Sequence, residues 1–144
     1  SEERFQIGKF INQVPLYSKD KAGNNINILL LQILIRLLKE QFGHIIDKAE
    51  SLREYVRKYT RTPETKRANI FFRMLLRMEA AKFHRSGTEL KTKKLRAELV
   101  KTSIKFGQNL AVEIIPYPIL WDEILSMLEN KFRATTVPKV KKSG

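Results

Sequence analysis

Cysteine is absent from the 144 residues. Disulfides and thiolate-held metals are thereby excluded, and a cytoplasmic setting is expected. Histidine occurs only as His44 and His84, and no Gly-x-Ser-x-Gly elbow accompanies them, so the activated nucleophile that covalent catalysis needs has no obvious source. The six glycines are scattered singly, which excludes the clustered glycine loops that cradle phosphates. Long apolar runs are also lacking. The longest, residues 26–38, is interrupted by Asn27, Gln32 and Arg36 and falls short of the roughly 20 residues of a membrane span. A buried helix is expected there, and no membrane partner. Acidic residues are the scarcer charge: 15 Asp+Glu stand against 28 Lys+Arg, a net +13. Such an excess favours nucleic acid, an acidic protein or a lipid surface as partner.

Hydrophobic residues at 42% and charged residues at 30% match the mix of globular proteins and argue against general disorder. One helical domain over residues 1–132 is expected, followed by a basic tail, 133–144, with too little to bury to fold. The chain opens Ser1-Glu2-Glu3-Arg4, without an initiator methionine or the pattern of a secretory signal. A position inside a longer protein is the expectation.

Apolar spacing predicts five to six helices. A short amphipathic one carries Phe5, Ile7, Phe10, Ile11 and Val14 ahead of Pro15. The next, over 25–41, is apolar around nearly its whole circumference, which marks it as the central element. Gly43 is the expected turn. A helix over 44–59 follows, lined on one side by Ile45, Ala49, Leu52, Val56 and Tyr59, and Thr62-Pro63 breaks the chain. A third strong helix is predicted over 64–84. The fourth, over 89–106, has Thr88 as its cap after a break at Arg85-Ser86-Gly87. Residues 110–117 hold Val112, Ile114, Ile115 and Pro116 and predict a short extended segment. A last helix over 119–132 presents Leu120, Trp121, Ile124, Leu125 and Leu128 to the core, with Trp121 as its anchor.

Residues 32–65 resemble one tetratricopeptide unit, a 34-residue helix–turn–helix repeat. Leu38 and Phe42 take the large positions of its first helix, Ser51 the small crossing position, Tyr55 the aromatic one and Pro63 the closing proline. Lys39 and Lys58 depart from the pattern, which wants small residues there. The stretches Ile11-Asn12-Gln13-Val14-Pro15, Tyr17-Ser18-Lys19-Asp20-Lys21 and Asn24-Asn25-Ile26-Asn27-Ile28 resemble the C-terminal region of uncharacterised bacterial helical-repeat proteins. So do Glu113-Ile114-Ile115-Pro116-Tyr117 and Leu120-Trp121. The resemblance spans residues 9–128 and implies an all-α, tetratricopeptide-like bundle acting as an intracellular scaffold. It brings no activity and no cofactor.

Catalytic and metal-ligating constellations are thin. Glu40, His44 and Asp47 would share a helix face only if Gly43 did not turn the chain, and a solvated corner is the plainer reading. Asp47, Glu50 and Glu54 lie at helical spacing, with Lys58 four residues beyond Glu54 as an ion-pair partner. The basic residues carry more. The fourth predicted helix holds Lys91, Lys93, Lys94, Arg96, Lys101 and Lys105 against Glu89 and Glu98. Lys91, Lys94, Lys101 and Lys105 make one stripe, interrupted by Glu98, and Lys66, Arg73 and Arg77 share a side of the third helix. Together they form a candidate face for an anion or a partner, or a solvated surface that keeps the domain soluble. Base-stacking aromatics are not interleaved with the basic residues of the fourth helix. The leading expectation is a non-catalytic scaffold for a protein or peptide, with nucleic-acid binding as the alternative.

Overall fold

Short turns join the four helices between residues 21 and 101 and leave each little choice but to pack on its neighbour. Residues 21–102 and 115–128 are described by a computed structural model. It is all-α: α1 (Lys21–Leu38), α2 (Phe42–Tyr59), α3 (Lys66–Ala80), α4 (Arg85–Lys101) and α5 (residues 117–128). The expected helix over 2–14, residues 103–106 with Lys105, residues 110–114 of the expected extended segment and the tail 133–144 lie outside the described residues.

The turn between α1 and α2 is not where glycine suggests. α1 stops at Leu38 and Glu40 takes the left-handed conformation, φ 60°. The Glu40 amide donates to the Leu37 carbonyl at 3.1 Å and the Gln41 amide to the Arg36 carbonyl at 2.9 Å. These are the paired bonds of a Schellman cap. Arg36 Nη1 also donates to Gln41 Oε1 at 2.7 Å, tying the side chains across the same turn. Gly43 instead lies inside the first turn of α2, with nothing within 4 Å of where a Cβ would be.

The same device ends α3 at Ala80, four residues before the expected His84. Lys82 has φ 56° and Phe83 φ 64°, with Lys82 N–Glu79 O at 2.9 Å and Phe83 N–Met78 O at 3.0 Å. Buried Phe83 and Met78 supply the apolar contact that usually accompanies such a cap. Phe83 also stacks on Phe42, ring centroids 4.6 Å apart, so the two turns meet. With the reversal complete by His84, α4 begins at Arg85 rather than Glu89. Thr88 is then a buried residue of its first turns and not its cap.

Proline placement explains the remaining boundaries. Thr62 is extended, as a residue before proline must be, and Pro63–Thr65 form a single 3-10 turn leading into α3. Pro116 accepts the Leu120 amide at 3.0 Å, so α5 already includes Tyr117. Pro118 sits within its first turn, where a missing N–H costs nothing.

The central helix is α3 rather than α1. It buries Ala68, Ile70, Phe71, Phe72, Met74, Leu75 and Met78, whereas α1 leaves Ile28 and Leu38 exposed. Phe71 stacks face to face on Tyr117, centroids 4.4 Å apart and planes within 1°, and meets Trp121 edge-on at 6.3 Å. Trp121 is fully buried and anchors the last helix, as the sequence predicts. α3 also holds the far end of α4: buried Arg67 donates Nη1 to the carbonyls of Leu99 (2.9 Å) and Thr102. The Leu99 carbonyl also accepts the Thr102 amide at 3.2 Å, so the guanidinium adds a second donor where the helix ends.

Two outcomes follow from these caps. Glu40→Gly and Lys82→Gly should each raise stability by about 0.5–1 kcal/mol, because glycine adopts the left-handed region without the Cβ penalty; urea-unfolding midpoints check it, and a drop would disprove the cap assignment. Arg67→Met keeps the stem but removes both hydrogen bonds to the end of α4, and should cost about 1–3 kcal/mol. Hydrogen exchange should quicken first at the end of α4.

Candidate functional site

Two contacts set the register of α3 against α4. Arg77 Nη1 donates to the Lys91 carbonyl at 2.9 Å, and Lys66 Nζ lies 3.9 Å from Glu98 Oε2. The helices therefore run antiparallel, with Arg73 and Lys94 at the same level between these ends. Of the predicted basic face, Lys66 and Arg77 reach across to α4, Arg73 stays on its own helix, Lys91, Lys94 and Lys101 lie exposed along α4, and Lys105 lies outside the described residues.

Their electrostatic states differ. Glu98 takes up Lys66, Arg77 is engaged by a backbone carbonyl, and Arg73 Nη1 reaches its own helix at Asn69 Oδ1, 3.4 Å away. Lys91, Lys94 and Lys101 are exposed, with no carboxylate within ion-pair distance among the described residues. Lys93 shares that condition although the stripe omitted it. The face thus reduces to α4 lysines supported by anchored α3 arginines.

A second feature was not visible in the sequence. Between α4 and α5 lies a groove of about 720 Å³. Trp121 and Leu125 line it from α5, and Leu90, Lys93 and Ala97 from α4. Leu90 is 78% exposed. Arg96 Nη2 crosses between the helices to grip both Asp122 oxygens at 3.0 and 3.1 Å, and Arg85 pairs with Glu89 at 3.6 Å. Trp121 Nε1 is buried without a hydrogen-bond partner among the described residues. Finding the groove required knowing that α5 packs beside α4; the exposed leucine amid lysines was the one available sign.

The other candidates disperse. Glu40 is in the turn, His44 and Asp47 are exposed, and no group of three metal-ligating side chains gathers among the described residues. Glu54 pairs with Lys58 at 3.7 Å as expected, yet Arg57 is nearer at 2.8 Å. The hydrogen bond from Arg57 is the chief cause holding the Glu54 carboxyl below its ordinary value. Tyr55 lies between Tyr59 and Phe72. Burial, and secondarily Tyr59, pushes its phenol up from 10.0 to about 12. The folded state then keeps a proton that the unfolded chain loses, so this contribution is full below pH 10 and declines as pH rises towards 12.

The exposed lysines make no contact on which the fold depends. Replacing Lys91, Lys94 and Lys101 together by glutamine should leave stability within about 0.5 kcal/mol; a loss of 2 kcal/mol or so in thermal unfolding would mean the stripe is structural. Comparison with family models, with curated proteins and with solved structures gives no match.

Proposed function

We propose that the chain is a non-catalytic, tetratricopeptide-like interaction scaffold, part of a larger protein, that presents helix surfaces to a protein or peptide. The observation supporting it is the succession of two α-hairpins, α1–α2 and α3–α4, closed by the same cap at Glu40 and Lys82 and packed in chain order. Repeat scaffolds are built in this way, each unit burying its apolar side on the next. The caps lie 42 residues apart (40 to 82), longer than the 34-residue tetratricopeptide unit, so hairpin stacking carries the reading more than that family's register does. A cytoplasmic location and a bacterial source go with it, as the sequence resemblance implies.

Nucleic-acid binding is the second reading, and the unpartnered lysines of α4 favour it. Contact through four lysines to phosphates would give a log–log salt slope of about −3 to −4. The two readings separate in a salt titration with DNA and RNA beside capture of a protein partner. The scaffold reading expects a partner retained at high salt by both the wild-type chain and the variant with Lys91, Lys94 and Lys101 changed to glutamine. Steeply salt-dependent DNA or RNA binding that this variant loses, with no retained partner, would overturn it.

A further inference from the structure

Resting on the scaffold reading, we infer that the α4–α5 groove is the docking site for an acidic amphipathic helix. Its shape and chemistry point the same way. The apolar surface open to a guest comes from Leu90 and Ala97 of α4, over a floor of buried Trp121 and Leu125. Two neighbouring helices with apolar residues between them are what helix-in-groove recognition uses, the guest inserting side chains at i, i+3 or i+4, and i+7. At about 720 Å³ the space takes a few apolar anchors.

Charge selects among guests. Three cations, Arg85, Lys93 and Arg96, border the groove, against Glu89 and Asp122. Lys93 has no carboxylate partner among the described residues, and α4 adds Lys91, Lys94 and Lys101 on its exposed surface. The two ion pairs at the groove are solvent-accessible, and such pairs are worth about 0–1 kcal/mol. A guest's carboxylates can therefore exchange with Glu89 or Asp122 at little cost. A basic guest would meet net repulsion. A single-stranded nucleic acid is disfavoured here because the aromatic at the groove, Trp121, is fully buried and offers no face for a base to stack on.

Anisotropy of a labelled peptide measures occupancy directly, and Trp121, the only tryptophan, gives a second readout from beneath the groove. The probe is a synthetic helix of about 15 residues with leucines at i, i+3, i+7 and i+10 and glutamates elsewhere. Two control peptides replace its glutamates by lysines or its leucines by alanines, and a single-stranded RNA completes the set. The acidic leucine peptide should bind saturably and shift Trp121 emission, and the other three should not. Lys93→Glu and Leu90→Asp, both at exposed positions, should each weaken it at least about tenfold, while Asp122→Asn, which frees Arg96, should strengthen it. Ile46→Asp, on the exposed side of α2, should change nothing, and circular dichroism confirms that every variant is folded.

Equal binding of the lysine or alanine peptide, stronger binding of the RNA, indifference to Lys93→Glu, or no binding at millimolar peptide would each overturn the assignment. If the acidic peptide fails while the wild-type chain and its Lys93→Glu variant both retain a protein partner at high salt, the groove assignment falls and the scaffold reading stands. Failure of both removes both.

Discussion

The ring of Phe71 holds the bundle together. It sits on the most buried helix, and Tyr117 and Trp121 close on it from its face and its edge. Both arrangements suit the aromatic quadrupole, and each such pair adds about 0.5–1.5 kcal/mol beyond the area buried. The grip works together with the burial of Leu120, Ile124 and Leu128 in the same core, since the polar tie Arg96–Asp122 is exposed and weak. The groove exists only because α5 is pinned beside α4. The groove thus depends on the packing that holds Trp121 in the core.

Helix number and type were legible in the sequence because they follow from apolar periodicity, and the breaks near Pro63 and residue 43 follow from backbone chemistry. The turns themselves were not. Gly43 and Gly87 drew the expected reversals, yet the chain reverses at Glu40 and at Lys82-Phe83. Those residues pay a Cβ penalty that is offset locally at one turn, by the Arg36–Gln41 hydrogen bond, and by tertiary packing at the other, where Phe83 stacks on Phe42. The centrality of the 25–41 helix was misjudged for a related reason. Apolar residues on every side indicate that a helix can be surrounded, and say nothing of which neighbours are available.

The candidate surface was half legible. Which side chains are basic and which share a helix face could be read directly; which are already engaged could not. Glu98 looked like an interruption of the lysine stripe, whereas it is the partner of Lys66 on the neighbouring helix. Arg67, which the sequence pattern did not single out, is buried as the clamp on the end of α4. Such distinctions depend on the antiparallel register of α3 and α4, a property of two helices together.

α4 explains how a polar helix can be well held and still free to bind. Its buried side is the narrow row Thr88, Thr92, Leu95 and Leu99, spaced four, three and four residues apart, the seam of a closely packed helix pair. Small threonines let it approach α3, and their hydroxyl cost is partly met within the helix, where Thr92 Oγ1 donates to the Thr88 carbonyl at 2.7 Å. Arg67 and Arg77 of α3 then fasten its end and its middle by hydrogen bonds to backbone carbonyls. Because these arginines bond to the main chain, they consume none of α4's own side chains. The lysines and Leu90 are left facing solvent on a helix fastened through its backbone and its buried row, which is the condition for recognition without a large ordering cost.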